Sequence, residues 1–350
     1  MKKIGRLLIF LLTTLILAGC SGDGNQTKVV LTTGFERDEV FRIDQESCSR
    51  AELMVYLANL KNEYEKIYGS EIWEKEVVSQ TLKEGVKETA LARIAQIKAM
   101  KLLAADQAIT LDTQEIKKAQ QAAETYFSTL TESERQILGV SEALLVTMYQ
   151  EYALADKLYD HIIKDVNPEI SDDEARNITI EQIFLRCYSL NGKGEKILYT
   201  DEEWQEVYRK AQEVRQLALD GEDFTQLSEQ YSDHQSGQYS FGKGEVEEAL
   251  EVVSFNLGNL EISEVIKGEE GYYIIKCIST FNREETQENK SKIIEQRKKE
   301  VFDQVYHDFL ITLTKNMNTE LIESIDLPEN ATLDTSEFFV IYQDIFQSEQ

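Results

Sequence analysis

The residues of this 350-residue chain that most often bind metals or form disulfides are few and widely spaced. They are His161, His234, His307, Cys20, Cys48, Cys187 and Cys277. No two of them stand at a Cys-x-x-Cys or Cys/His spacing typical of zinc sites, so we expect no metal. We also expect no cofactor. If Cys20 carries a covalent modification, as its sequence context below indicates, three cysteines remain. An odd number does not favour a disulfide framework.

Cys20 ends a segment typical of a bacterial secretory signal. A basic start and an apolar stretch at 7–18 lead into Leu-Ala-Gly-Cys at 17–20. The stretch is too short to cross a membrane as a helix. Leu-Ala-Gly-Cys resembles a lipobox, in which the cysteine is acylated. We therefore predict a signal peptide at 1–19, lipidation of Cys20, a tether at 20–27 and an extracytoplasmic protein anchored to a bacterial cell membrane. The alternative is an ordinary secretory signal with a chance cysteine.

The net charge of the chain is strongly negative. There are 37 Lys and Arg against 64 Asp and Glu, which gives −27. Removal of 1–19, with three basic residues and no acidic one, changes −27 to −30. Such a surface repels phosphate backbones, so we expect no nucleic-acid partner. It attracts cationic or partly unfolded basic polypeptides, although solubility alone would explain the same charge.

Helical periodicity dominates the N-terminal region, 28–168. Ser49-Arg50-Ala51-Glu52 is a capping box that opens a helix ending near Tyr68. Asn167-Pro168 ends the region, because the residue before a proline avoids the helical conformation. The other predicted elements are strands at 28–35 and 40–43 and helices at 71–108, 113–129, 132–138 and 142–165.

Residues 177–280 combine strand and helix signals. Thr200-Asp201-Glu202-Glu203 is a second capping box and opens a helix ending near Leu219. The other predicted elements are strands at 178–188, 262–267 and 272–279 and helices at 224–231 and 247–256. This order predicts a small α+β domain with an antiparallel sheet.

The C-terminal region, 283–350, returns to helical periodicity as far as residue 317. The apolar stripe of this helix needs a partner, and the N-terminal helices are the obvious one. The first and last thirds of the chain are therefore predicted to form one discontinuous domain. The segment 338–342 (F-F-V-I-Y) is too apolar to be exposed, and we expect it to pack back as a short strand or helix.

Four segments in the middle of the chain resemble motifs of the parvulin, or PpiC-type, peptidyl-prolyl isomerase family. They are 221–232 (G-E-D-F-T-Q-L-S-E-Q-Y-S), 241–245 (F-G-K-G-E), 254–265 and 271–276 (G-Y-Y-I-I-K). Each is weak alone, but their order and spacing over about 100 residues are specific. With its flanks, the chain is similar to PrsA-type foldase lipoproteins and SurA-type chaperones. The resemblance implies an α+β fold in which helical N- and C-terminal chaperone-like regions flank an inserted antiparallel four-stranded sheet domain.

The resemblance also implies where a catalytic site would lie. The two histidines of the family correspond to Gln182 and Tyr273 here, and its central cysteine or aspartate corresponds to His234. These three are the candidate catalytic residues. His234 is either a polar partner of Gln182 and Tyr273 or an exposed loop residue.

The family's proline pocket, which usually has Met and Phe, implies a substrate pocket here. Its candidate residues are Phe241, Val246, Leu250 and Phe255. Rotation about an X-Pro bond faces a barrier of roughly 20 kcal/mol and breaks no covalent bond. Catalysis needs an apolar grip on the proline ring and hydrogen bonds that favour the twisted amide.

Strand alternation tests this alignment. Gln182 and Tyr273 should face the pocket together. Cys277 should share their face and Cys187 should lie opposite, which argues against a Cys187–Cys277 bridge. Because Gln182 and Tyr273 supply neutral donors and acceptors in place of histidines, we expect weak or absent isomerase activity.

Two functions remain open. One is a membrane-anchored foldase whose parvulin-type domain isomerises prolines in secreted proteins. The other is a holdase chaperone whose parvulin domain is catalytically weak or inactive. Both act on unfolded or partly folded secreted polypeptides, and a homodimer remains one alternative for the assembly.

Overall fold

The computed structural model describes residues 34–73, 76–234, 237–328 and 337–347, and only the backbone of 76–81. The signal peptide, Cys20, the tether and the first part of the strand predicted at 28–35 lie outside the described residues. Helical sections precede and follow a central section that holds a four-stranded sheet.

Local capping signals set most helix starts in the first section. Its elements are β1 (Glu39–Ile43), β2 (Glu46–Ser49), α1 (Arg50–Tyr68), a 3-10 helix (Ser70–Trp73), α2 (Glu76–Asp106), α3 (Thr113–Thr129), α4 (Glu132–Leu138) and α5 (Glu142–Ile163). The predicted capping box is confirmed, because Ser49 N donates to Glu52 Oε2 at 2.7 Å and Glu52 N donates to Ser49 Oγ at 3.3 Å. The predicted strand ending at Phe35 is wrong for residues 34 and 35, since pairing begins at Glu39 and turns back into β2.

The central section confirms the predicted antiparallel sheet. Its elements are β3 (Ile178–Arg186), β4 (Tyr188–Leu190), β5 (Lys196–Leu198), α6 (Asp201–Leu219), α7 (Phe224–Tyr231), β6 (Gln238–Phe241), α8 (Glu248–Ser254), β7 (Ile266–Lys267) and β8 (Gly271–Ser279). The sheet order is β6-β3-β8-β7, all antiparallel. The strand predicted at 178–188 is interrupted at Cys187, after which β4 and β5 form a separate hairpin.

Both faces of this sheet are covered. On one face Ile183, Leu185 and Ile274 pack with α6 and α7. On the other face Ile180 and Ile275 pack with α8 and with side chains of β6. The central strands are therefore buried on both sides, which explains their nearly continuous apolar sequence.

The last section packs against the first. Its elements are α9 (Arg283–Leu310), β9 (Lys315–Met317), α10 (Thr319–Ser324) and α11 (Phe338–Phe346). The helix predicted to residue 317 ends at Leu310. The residues that follow include β9, which pairs with β1 and places Met317 opposite Phe41. Phe302 of α9 contacts Tyr159 of α5 with ring centroids 5.1 Å apart. The segment at 338–342 packs back as part of a helix, one of the two forms expected for it.

A buried charge network joins α1, α2 and α5. Lys98 Nζ donates to Glu52 Oε1 at 2.6 Å and to Glu151 Oε2 at 2.7 Å. Lys101 Nζ donates to Glu151 Oε1 at 3.0 Å and to Glu46. Burial lowers the pKa of Lys98, but Glu151 and Glu52 outweigh burial and raise that pKa above its usual value. Lys98 therefore stays protonated at neutral pH.

We expect Gly271→Ala to lower the free energy of unfolding by roughly 1–3 kcal/mol or more. An added methyl group would clash with the Leu185 carbonyl oxygen and lie 2.8 Å from Phe184 Cε2. Gly192→Ala is the matched control, since a Cβ there meets nothing within 4 Å. Urea denaturation compares the two variants. Equal stabilities would show that β3 and β8 tolerate a side chain at this position.

Candidate functional site

The aligned residues converge on the sheet face that packs against α8. In the β3–β8 register, Gln182 lies opposite Ile275 and Phe184 lies opposite Tyr273, so Gln182 and Tyr273 share this face. Cys277 lies opposite Ile180 on the same face, whereas Cys187 packs in the core under α6 and α7. Both cysteines are unpaired. Burial raises the pKa of the Cys187 thiol to about 11, which keeps it protonated near neutral pH.

The pocket candidates form one apolar cluster. Phe241 and Leu250 are buried and form its floor, and Val246 and Phe255 are half-buried at its surface. The Phe255 ring meets Phe241 edge-on, with centroids 5.8 Å apart and planes at 74°. Arg176 donates to the Phe255 carbonyl oxygen at 3.2 Å and lies 4.9 Å from that ring. Val246 and Phe255 therefore contribute accessible apolar surface next to the buried Phe241 and Leu250.

The side chain of Gln182 is engaged by a tyrosine of the neighbouring strand. Tyr239 donates from its hydroxyl to Gln182 Oε1 at 2.7 Å. Burial raises the pKa of Tyr239 to about 12, so its phenol stays protonated and can donate. The Gln182 carbonyl oxygen accepts from Ser228 Oγ of α7 at 2.8 Å. Gln182 is therefore fixed from both its side chain and its backbone.

Tyr273 presents a neutral phenol on the same face. Burial raises its pKa above the usual value, and the adjacent Glu247 carboxylate raises it further. A Cβ on Gly268 would lie 2.6 Å from Tyr273 Cε2 and would also overlap Glu247. The absence of a side chain at Gly268 thus lets the carboxylate and the ring come together. Tyr273 remains a hydrogen-bond donor throughout the physiological pH range.

His234 lies over Phe184. The two rings stack with centroids 4.1 Å apart and planes at 27°. The loop is tied to β3, because Asp233 N donates to the Phe184 carbonyl oxygen at 2.7 Å and Phe184 N donates to Ser232 Oγ at 3.1 Å. His234 is exposed, and in the described part of the chain no hydrogen bond joins its ring to Gln182 or Tyr273. Its observed contact is stacking, and of the two interpretations the geometry favours the exposed loop residue.

Three further residues complete this face, and the sequence did not single them out. Phe184 contacts the Tyr273 ring as well as His234, with the Tyr273 centroid at 4.6 Å. Strand alternation from Gln182 would have placed Phe184 there. Tyr239 and Glu247 reach the site only through the β3–β6 register and the packing of α8, which local sequence does not encode.

The stability of the chain should fall as pH rises through about 10 to 12. Burial raises the pKa of Tyr239 and Tyr152 to about 12 and raises that of Tyr149 further. Since an unfolded tyrosine has a pKa of about 10, this contribution is complete below pH 10 and is lost as pH rises through the folded values. Each unit of difference is worth about 1.4 kcal/mol. Urea unfolding at about pH 8 and about pH 11.5 measures it, and equal stabilities would contradict it.

Comparison with known proteins defines the class of the central section. Residues 191–279 match the family model described as the PPIC-type PPIase domain, or rotamase. The chain therefore carries a PpiC-type peptidyl-prolyl isomerase domain. The match contains His234, Tyr273 and the four pocket candidates, and Gln182 lies before it.

The chain is also similar to curated foldases. Foldase protein PrsA of Caldanaerobacter subterraneus subsp. tengcongensis is 24% identical over 283 residues, which cover 79% of this chain and 82% of that protein. Foldase protein PrsA 3 of Bacillus anthracis is 26% identical over 178 residues, which cover 49% of this chain and 59% of that protein. Among solved structures, the peptidylprolyl isomerase PrsA of Bacillus cereus aligns at 16% identity and a TM-score of 0.36, covering 75% of this chain and 92% of that one.

Proposed function

We propose that this chain is a foldase whose parvulin-type domain isomerises X-Pro bonds in unfolded polypeptides. The observation that carries the proposal is the half-buried apolar surface of Val246 and Phe255, which lies on the same sheet face as the neutral donor Tyr273. The family match over 191–279 and the similarity to foldase proteins support it.

In the proposed mechanism, the proline ring rests on Val246 and Phe255, above Phe241 and Leu250. A twisted X-Pro amide has lost resonance, so its nitrogen regains a lone pair that can accept a hydrogen bond. Tyr273 donates to this twisted form more strongly than to either planar form, which lowers the barrier. No proton is transferred, so the neutral phenol with its raised pKa suits the role.

The catalysis we propose is weak. The side-chain oxygen of Gln182 already accepts from Tyr239. The exposed His234 ring stacks on Phe184, and among the described residues no hydrogen bond joins that ring to Gln182 or Tyr273. The aligned polar side chains therefore form no connected hydrogen-bond network beneath the proline among the described residues. This geometry is also what favours the second candidate function, a holdase with an inactive parvulin domain.

The proposed clients are unfolded or partly folded secreted polypeptides. In this proposal the protein binds them outside the cytoplasm, where lipid on Cys20 anchors it to the membrane. The basic and apolar residues before Leu-Ala-Gly-Cys support this location. Within the described residues, no helix has both the length and the apolarity needed to span a membrane.

We also propose that 28–168 and 283–350 form one chaperone-like unit around the 177–280 domain, which the β1–β9 pairing supports.

Two measurements on the chain that begins at residue 21 separate the two functions. One is the rate of proline-limited refolding of a substrate protein, and the other is the suppression of aggregation of an unfolded client. A foldase raises the refolding rate in proportion to its concentration. Suppressed aggregation with an unchanged refolding rate would replace the proposal by the holdase.

A further inference from the structure

Helix α11 lies in an apolar groove formed by α1, α3 and α5. Its nine residues, F-F-V-I-Y-Q-D-I-F, are almost all apolar. Phe338, Ile341 and Tyr342 are buried in the groove, and Val340 points outward with half of its surface exposed. The helix therefore binds through one face, as an amphipathic peptide does in a protein groove.

The groove holds its occupant through aromatic contacts. The Phe338 ring stacks on Tyr149 with centroids 4.2 Å apart and meets Tyr126 edge-on at 5.4 Å. One turn further along, Tyr342 meets Tyr152 at 4.5 Å. Such pairs add to the free energy of burial, and they select aromatic side chains in the segment that binds.

The groove also binds the main chain of its occupant. Asn59 Oδ1 accepts from Phe338 N at 3.1 Å, and the Tyr149 hydroxyl donates to the Phe338 carbonyl oxygen at 2.9 Å. Both Asn59 and Tyr149 are fully buried. Every amino acid except proline offers this pair of backbone groups, so the contact does not depend on which residue is bound.

These polar groups make the groove dependent on a bound polypeptide. A buried acceptor or donor that loses its partner is costly, so Asn59 and Tyr149 are poorly suited to an empty groove. The amide nitrogen of Asn59 is already held by the Val55 carbonyl oxygen and the Tyr126 hydroxyl, which aims Oδ1 at the occupant. The groove is thus built for a main chain with apolar side chains.

Helix α11 has features of an exchangeable occupant. Isolated helices shorter than about 12–15 residues are marginal in water, so its nine residues are helical because the groove holds them. No side chain caps its N-terminus, where Asn59 supplies the acceptor instead. Within the described residues it is the last element, and its departure displaces no other.

We propose that this groove is a binding site for aromatic-rich apolar segments of unfolded polypeptides, and that α11 occupies it in cis until such a segment displaces it. The inference rests on the proposed foldase function and names the site where clients bind. The ligand we infer is a short segment with α11-like chemistry, because α11 itself shows which side chains and which backbone groups the groove accepts.

A labelled peptide with the sequence of residues 337–347 tests the proposal. Phe338→Ala weakens the cis occupant while leaving the groove intact, so the full chain with this change should bind the peptide at least about tenfold more tightly than the unchanged chain. Val340→Ala, on the exposed side of the same helix, is the matched control and should bind like the unchanged chain. Adding Asn59→Leu to Phe338→Ala should abolish the gain. Equal peptide affinities for the Phe338 and Val340 variants would overturn the proposal.

Hydrogen exchange on the unchanged chain decides the matter if Phe338→Ala fails to fold. A saturating amount of the peptide of residues 337–347 should speed exchange of the α11 amides while α1 and α5 stay protected. Amides of α11 that remain as protected as those of α5 would show that α11 is a fixed part of the core. Both readouts are independent of proline isomerisation. If the chain speeds refolding but its α11 amides stay protected, only this inference is wrong. If the α11 amides become exposed but refolding is not accelerated, only the proposed isomerase activity is wrong.

Discussion

Lys98→Met is expected to lower the free energy of unfolding by roughly 3–5 kcal/mol. Lys98 lies between Glu52 and Glu151, whose side chains are each only 7% exposed. Methionine keeps much of the aliphatic volume but leaves two buried carboxylates without their shared cation. Lys101 reaches Glu151 and does not replace the contact to Glu52. The expected loss of stability comes from leaving two buried carboxylates without Lys98. It does not require the intact network to make a large net contribution to the free energy of unfolding.

Lys157→Met is the control for this prediction. Lys157 pairs with Glu115 at 2.7 Å, a similar distance, but the two side chains are 35% and 27% exposed. A solvated pair contributes about 0–1 kcal/mol. Urea unfolding followed by circular dichroism compares both variants at neutral pH. Similar losses for Lys98 and Lys157 would show that water or relaxation screens the Lys98 network.

Val246→Asp is expected to lower kcat/KM for X-Pro isomerisation at least about tenfold, since the loss of an apolar contact in a substrate pocket costs about 1–3 kcal/mol. A carboxylate in this cluster also resists the desolvation that a bound proline ring would impose. Val246 is half-buried and belongs to the cluster of Phe241 and Leu250. The change should therefore act on binding of the proline more than on folding of the domain.

Val252→Asp provides the matched control. Val252 lies on α8 close to the same cluster, but 56% of its surface is exposed. The same substitution there should leave isomerisation unchanged. Both variants should suppress client aggregation as the unchanged chain does. If the two aspartates reduce isomerisation equally, the effect is electrostatic and the pocket assignment is wrong.

The helices were largely predictable because their signals are local. The capping boxes at Ser49 and Thr200 and the bounds of α3 and α4 were correct from sequence. The short strands β2 and β9 were missed, because three or four residues show no clear alternation and their pairing depends on distant partners. The β9 error also extended α9 beyond its true end.

The site was predictable only in part. Alternation along β3 and β8 correctly placed Gln182 and Tyr273 on one face. The partners that determine what these residues do, Tyr239 and Glu247, come from other elements of the domain. Their positions follow from strand register and helix packing, which local sequence patterns do not contain. The stacking of His234 on Phe184 likewise depends on backbone hydrogen bonds between the loop and β3.

The rate of proline-limited refolding, measured over a series of concentrations of this chain, tests most directly whether the Val246 and Phe255 surface acts on X-Pro bonds. We predict a rate constant that rises linearly with the concentration of the chain, with a shallow slope that Val246→Asp removes and Val252→Asp leaves unchanged. A rate constant equal to the uncatalysed value at every concentration, from a chain that still suppresses aggregation, would contradict the isomerase and leave the holdase.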